Sequence, residues 1–466
     1  MSRQALLYFH YDIEMKQSLR QGVDTWMTGI VLALFIVLFL FQLFLIHRYA
    51  VNIPYLDDWG MLGFGRPALS VKWLRSYNND HNIATTKLFV WLQFHLNGWN
   101  YRVHLVLNYL IYGVLLLWIA WFVHKAAPHL SAWVICGFMI FLLSPINWFN
   151  HFMGDQSCFH FAVLFSFIGA YYFFTTRQSW IDLMVGCVMS ILAIYSLASG
   201  VVSIIVVLIT FALFKGVRVK SASSRKQQVH EIIQLASVVL IVGAFLSLWT
   251  VDYVHGPDTR VTLPDTSIFW AFFLNMVAFG FGIDRPSSVL GAICLLLVLF
   301  PMCAKAWRQK GKLEHTQWVS LVLVLGTFAT IAQISLGRAA FGVETWSKTS
   351  RYVEFVMPLI PLSVVNWAVL LRRHKRLEAF ALGGLFLLCG VAFSNNWSFS
   401  AYQREAAIRL EGRECVKAYY EGVGDGRCPM IYPSASITPL STRLDAAKTL
   451  NVSFYREIHR EMEQGR

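Results

Sequence analysis

Two adjacent carboxylates, Asp57 and Asp58, stand in the stretch Asn52-Ile53-Pro54-Tyr55-Leu56-Asp57-Asp58-Trp59-Gly60, just beyond the first strongly apolar segment. Charge beside a bilayer is expensive and tends to mark function. A carboxylate at a low-dielectric boundary has its pKa raised, which suits a general base. Carboxylate oxygens also take a hard divalent cation such as Mg or Mn. One Asp would accept the proton of an acceptor hydroxyl while the other orients that hydroxyl or holds metal, and either residue fits either role. The plainer reading is a turn or helix cap before Trp59, which needs one Asp and not two.

A second polar stretch, Asn147-Trp148-Phe149-Asn150-His151-Phe152-Met153-Gly154-Asp155-Gln156, adds Asp155 and Gln156. His151 and Asp155 would share a face if this stretch were helical. With a first-loop Asp they would make a metal set; a simply hydrogen-bonded His is the blander reading. Trp148, Phe149 and Phe152 suit a sugar or prenyl groove, or interfacial anchoring. His81, in Asn78-Asn79-Asp80-His81-Asn82, suits an acceptor or a phosphate. Arg338 follows Gly337, and Arg351 stands in Ser350-Arg351-Tyr352. Their planar forks suit phosphate, the alternative being anchors that snorkel to headgroups.

The elements that must position these residues are apolar. The chain has 466 residues, 56% hydrophobic and only 14% charged, where a soluble domain is nearer a quarter charged. With repeated apolar runs of ~20 residues, this is the composition of a multi-pass helical membrane protein. The net charge of +13 follows from Lys and Arg flanking the spans. No basic tract is interleaved with aromatics in a soluble segment, so nucleic acid is not an expected partner. There is no Walker motif, no GxGxxG after a strand and no HExxH. Eight Cys show no CxxC pair, which argues against zinc and redox motifs. Cys415 and Cys428 lie in the polar tail and suit a disulfide in an oxidising compartment, or else a pair of free thiols.

Residues 1–26 read as a short cytoplasmic segment near the membrane surface, and 27–46 as a retained first span. The outer loop 47–102 carries the Asp pair and two short interfacial helices, at 71–75 and 88–92. Further spans are read at 103–123, 130–145, 158–175, 182–197, 200–214, 231–250, 287–304, 317–336, 352–371 and 378–396. The run 268–283 is read as interfacial or re-entrant, because a crossing there would place Lys305, Arg308, Lys310 and Lys312 outside. The fold expected is therefore an all-α polytopic membrane protein of about eleven spans, over residues 27–397, with the N-terminus in and a small C-terminal region, 398–466, out. The Asp57 loop, the Asp155 loop, the 338–351 loop and the tail then share the outer face.

An acidic pair soon after span one, a second outer loop with an acid after span three, and a polar tail resemble the GT-C superfamily. These are multi-pass glycosyltransferases that use polyprenyl-phosphate-linked sugars. The resemblance is strongest over 27–215, and the late Gly337-Arg338 and Ser350-Arg351-Tyr352 motifs are similar to those of many bacterial members. It implies a GT-C-like bundle in a bacterial inner membrane with its site facing the periplasm. It makes Asp57 or Asp58 the catalytic base, and Asp155, with Gln156 beside it, a contributor to metal or acceptor binding. Arg338, Arg351 and Tyr352 would contact the donor phosphate, and His81 and His151, on their own chemistry, are further candidates for substrate contact. The partners implied are the lipid-linked donor, a glycan, lipid or protein acceptor, and membrane lipids. A flippase or transporter of lipid-linked saccharides, or a polymerase or ligase, is the alternative. A transporter should show internal repeats or mid-span charge. No repeat is seen and the spans are nearly free of charge, which favours the enzyme.

Overall fold

The computed structural model describes residues 3–62, 70–77, 81–251, 253, 260–309, 313–347, 349–432 and 439–464, with the side chains of 3–21 and 346 excepted. Asn78, Asn79, Asp80, Lys310 and Lys312 lie outside this set. The described residues are helical, with no strand.

In order, the helices are α1 (Arg3–Tyr49), α2 (Val71–Arg75), α3 (Ala84–Asn97), α4 (Tyr101–Ala126), α5 (Ala132–Leu142), α6 (Trp148–Phe152) and α7 (Ser157–Phe173). Then come α8 (Trp180–Ile194), α9 (Ala198–Ser221), α10 (Arg225–Val251), α11 (Ser267–Gly280), α12 (Ser288–Arg308) and α13 (His315–Arg338). The chain continues as α14 (Val343–Trp346), α15 (Val353–Val356), α16 (Leu359–Leu371), α17 (Lys375–Ser394), α18 (Ser400–Tyr420), α19 (Leu440–Thr449) and α20 (Ser453–Gln464).

Among the described residues, eight helices are long and apolar enough to cross a membrane, and a bent pair makes a ninth if counted as one span. Many of their Leu, Ile, Val and Phe side chains point outward, on α1, α10, α12 and α17 among others. Such a surface suits lipid, and helices satisfy their own backbone there. The chain is thus a multi-pass helical membrane protein by length and composition. The stretch Ser350–Leu371 lies at its centre, with 89% of its apolar window buried against 17% for Gly22–Tyr49.

Three local features differ from the sequence expectation. The segment 1–26 is not set apart: α1 runs unbroken from Arg3 into the first span. The third span breaks early. Pro145 has no N–H and disfavours helix at the residue before it, so α5 ends at Leu142, Ser144 is extended, and 145–152 continues at a 41° bend. The spans also carry more charge than expected: Lys215 and Glu231 form a buried ion pair at 2.6 Å between α9 and α10, and Glu354 is buried at the head of the central stretch.

Helix α11, within the ambiguous 268–283 run, packs along α12; a Cβ on Gly291 would lie 2.1 Å from the Leu274 carbonyl oxygen, so only glycine allows this approach. Before α11, Thr262 N donates to Leu336 O (2.8 Å), near the end of α13. After it, Asn396 Nδ2 donates to Gly282 O (2.7 Å), just past the end of α17. Both connections of α11 therefore lie at the end of the bundle where α13 and α17 finish.

The tail packs back on the first loop. Leu56 N donates to Ile431 O (2.8 Å) and Ser453 N to Gly98 O (2.8 Å). Trp59 meets Phe454 edge-on at 5.6 Å, and Cys415 and Cys428 are joined in a disulfide.

Candidate functional site

The first loop is fixed before it reaches its carboxylates. Asn52 Oδ1 accepts from Tyr101 N (2.8 Å), and its Nδ2 donates to Glu457 Oε2 (2.8 Å) and Ser453 Oγ (3.2 Å). Leu56 then adopts a left-handed conformation, φ +49°. That conformation is costly for a residue with a Cβ and is held only by surrounding structure. The chain turns sharply there, and the two Asp side chains meet different surroundings.

Asp58 is 1% exposed. Its Oδ2 accepts from the Tyr101 hydroxyl and from Gly154 N (3.4 Å), and its Oδ1 from Asp155 N (2.7 Å). Burial pushes its pKa up to about 6; the Tyr101 hydrogen bond, the nearby Arg409 guanidinium and the two backbone N–H groups oppose that rise without cancelling it. Asp57 is only half-buried and makes no hydrogen bond or ion pair among the described residues.

The second loop reaches Asp58 because Gly154 has no side chain. A Cβ there would lie 2.3 Å from the His104 ring and 3.1 Å from Asp58 Oδ1. His104 cannot readily yield: Gln93 holds its Nδ1 at 2.6 Å, and its ring stacks on Tyr101 at 5.7 Å. Gly154→Ala is therefore expected to cost about 1–3 kcal/mol by overpacking, read as a lower Tm. An unchanged Tm would mean that the loop does not sit against Asp58.

Asp155 is buried, and its pKa lies well above the ordinary carboxylate range because of burial and then of Asp58 and Asp57. Gln156 Nε2 donates to Asp155 Oδ1 (3.3 Å), while Gln156 Oε1 is buried and accepts nothing. Arg351 offers Asp155 opposing charge, its guanidinium lying 6.0 Å from the Phe149 ring centre and 5.4 Å from that of Tyr352.

Arg351 is positioned by a buried polar network. Ser350 Oγ donates to Ile146 O and accepts from Phe149 N (3.2 Å), and Asn150 Nδ2 donates to Arg351 O (3.1 Å). Beneath them Glu354 takes Asn147 Nδ2 on Oε2 (3.1 Å) and His160 Nδ1 on Oε1 (2.5 Å). These hydrogen bonds tie residues 146–150 to the Ser-Arg-Tyr segment and Glu354.

A cavity of about 310 Å³ is lined by His81, Phe159, Gln333, Arg338, Tyr352 and Phe355, among others, and by none of the carboxylates. Phe159 is one helical turn past Asp155, and Tyr352 follows Arg351. Asp57, Asp58, Asp155, Gln156 and Arg351 are thus brought together, while His81, Arg338 and Tyr352 line the cavity, the two groups joined through the adjacent Arg351 and Tyr352. His151 belongs to neither. Helix α6 ends at Phe152 and Met153 is extended, so the four-residue spacing to Asp155 does not share a face. His151 is wholly buried among Tyr109, Tyr112 and Tyr402, whose hydroxyl meets its Nδ1 at 3.0 Å. No group of three or more His, Cys, Asp or Glu among the described residues is arranged to hold a metal.

Four contributors were not singled out from the sequence: Tyr101, His104, Glu354 and Arg409. Arg409 of α18 is fully buried, donates to Phe152 O, and lies 4.4 Å from the Tyr55 ring centre. Glu354 had a usable signal, an ionisable residue inside an apolar run. Arg409 had none, being one of several Arg in a charge-balanced tail.

The raised carboxylates set a pH dependence. A carboxyl whose pKa is higher folded than unfolded (about 4) stabilises the fold when protonated, and that stability is lost as pH rises through the folded value. For Asp58 the window is from about 4 to about 6, and Asp155 has the same sign. The Tm should therefore rise as pH falls from 7 to 5, and Asp155→Asn should flatten the slope. An unaltered slope in that variant would show that Asp155 is not held protonated by its surroundings. No family model, curated protein or solved structure matches this chain.

Proposed function

We propose that this chain is a GT-C-like membrane glycosyltransferase that moves a sugar from a polyprenyl-phosphate carrier to an acceptor hydroxyl. The carrying observation is the division of labour between adjacent carboxylates. Asp58 has both oxygens occupied by Tyr101, Gly154 and Asp155, so it positions the loops. Asp57 keeps its lone pairs, as a general base must, and lies close enough to Asp155 for its charge to act there. Asp57 takes the acceptor proton, and the freed oxygen attacks the anomeric carbon. The carbon–oxygen bond to phosphate breaks, with inversion. Arg351 and Arg338 neutralise the departing phosphate, and the aromatic and aliphatic wall of the cavity takes the start of the prenyl chain.

On losing its proton, Asp155 would join the Gln156 Oε1 as an oxygen donor for Mg or Mn, which complete their shells with phosphate and water. Such a cation would supply further charge neutralisation at the phosphate. The eight long helices, the bent pair, α7 and α8 make about eleven crossings, with α11 at the outer surface. The arrangement fits a bacterial inner membrane with the site facing the periplasm.

One observation favours the transporter reading: Glu354 and His160 pair inside the bundle, as ionisable groups on a translocation path do. Profiling of lipid-linked sugars and surface glycans in deleted and complemented cells separates the two. Loss of one sugar from a glycan, with its monosaccharide carrier accumulating, supports the transferase. Accumulation of a complete lipid-linked glycan on the inner leaflet would replace it with the flippase, and loss of chain length or of whole-glycan attachment with a polymerase or ligase.

A further inference from the structure

At the far end of the central helix from the carboxylates, two basic clusters separated in sequence converge. Lys305, Arg308, Arg372, Arg373 and His374 line one cavity of about 460 Å³, with Glu314 the only carboxylate among the described residues of its wall. Glu314 caps α13. The side chains of Lys305, Arg308, Arg372 and Arg373 make no hydrogen bond or ion pair among the described residues. Basic residues at span ends need no partner when each faces solvent alone. Here four cations line one cavity against one carboxylate, with Arg308, Arg372 and Arg373 at its exposed rim, and like charges gathered within about a Debye length, ~8 Å at physiological salt, favour an anion among them.

We infer that this cavity is a binding site for a diphosphate-bearing anion, the headgroup of a phospholipid with two phosphates being the occupant that best fits it. Arg forks match phosphate oxygens. Two phosphates balance the four cations and one carboxylate better than one does. Val369 and Leu370 give the cavity an apolar side, and Trp307, 86% exposed on the last turn of α12, is an interfacial anchor at the same level. Basic pockets between membrane helices take such headgroups. The site is remote from the proposed transfer centre and rests only on the chain's being a membrane protein.

The test is native mass spectrometry of the delipidated full-length protein with cardiolipin, phosphatidylglycerol or phosphatidylethanolamine as probe. Cardiolipin should be retained best and phosphatidylethanolamine least. R372Q/R373Q should weaken cardiolipin binding about thirtyfold, with Tm unchanged because these side chains hold nothing in the fold. If that variant does not fold, K305Q/R308Q carries the same expectation. K220Q/R225Q, which removes two cations from another basic loop, should leave binding as it was. Sodium pyrophosphate that displaces cardiolipin would assign the cavity to a free diphosphate, and pyrophosphate without effect to the lipid. Equal retention of phosphatidylethanolamine, or an equal loss in K220Q/R225Q, would overturn the inference, since binding would then be unspecific or a matter of overall charge.

Discussion

Asp57→Asn is expected to lower turnover by about 10²–10⁴-fold, the usual contribution of a positioned general base, with little change in Tm. The substitution keeps shape and removes the basic lone pair. Asp57 is half-buried and makes no hydrogen bond or ion pair among the described residues, so its loss leaves no buried group unsatisfied. Asp58→Asn should behave differently. An amide nitrogen cannot accept from the Tyr101 hydroxyl or from Gly154 and Asp155 N–H, and one or more donors is left buried without an acceptor, at about 1–3 kcal/mol. That variant loses Tm as well as activity. The measurement is transfer from a synthetic prenyl-phosphate sugar by purified protein, with thermal melting alongside. Full activity in Asp57→Asn with loss only in Asp58→Asn would reverse the roles, and full activity in both would end the assignment.

Arg409→Ala is expected to give the largest loss of stability among single changes near the site, ~2–5 kcal/mol for emptying the space of a wholly buried large side chain and leaving the Phe152 carbonyl without its donor. Arg409 is the tail's contact with the site: its guanidinium donates to Phe152 O and lies 4.4, 5.6 and 5.7 Å from the ring centres of Tyr55, Phe152 and Tyr101. It also supplies positive charge that lowers the Asp58 pKa, so its removal should lift that value further above about 6. Arg409→Lys keeps the charge without the planar fork and should recover part of the loss. In a double-mutant cycle, removing Asp58's charge as well should cost less than the sum of the two changes. Strict additivity would mean that Arg409 acts by filling space alone.

The spans were legible because lipid imposes a local rule: a helix in hydrocarbon needs ~20 apolar residues in a row, and that rule is written in contiguous sequence. The Asp57-Asp58 pair was legible for the same reason, as charge next to such a run. The 268–283 run has no distinguishing local pattern, and both of its ends are held by contacts, to Leu336 and Asn396, that contiguous sequence does not contain. His151 shows where spacing misleads. Four residues separate it from Asp155, but the helix that would put them on one face stops at Phe152.

By itself the sequence determined the helical membrane class, the basic residues that flank the apolar runs, and the pool of carboxylates and arginines from which a site is built. Only the tertiary structure separated Asp57 from Asp58, because chemically identical neighbours differ only in who reaches them. Tyr101, Gly154 and Asp155 arrive from other elements, Arg409 arrives from the tail, and together they decide which carboxylate is locked and which stays open.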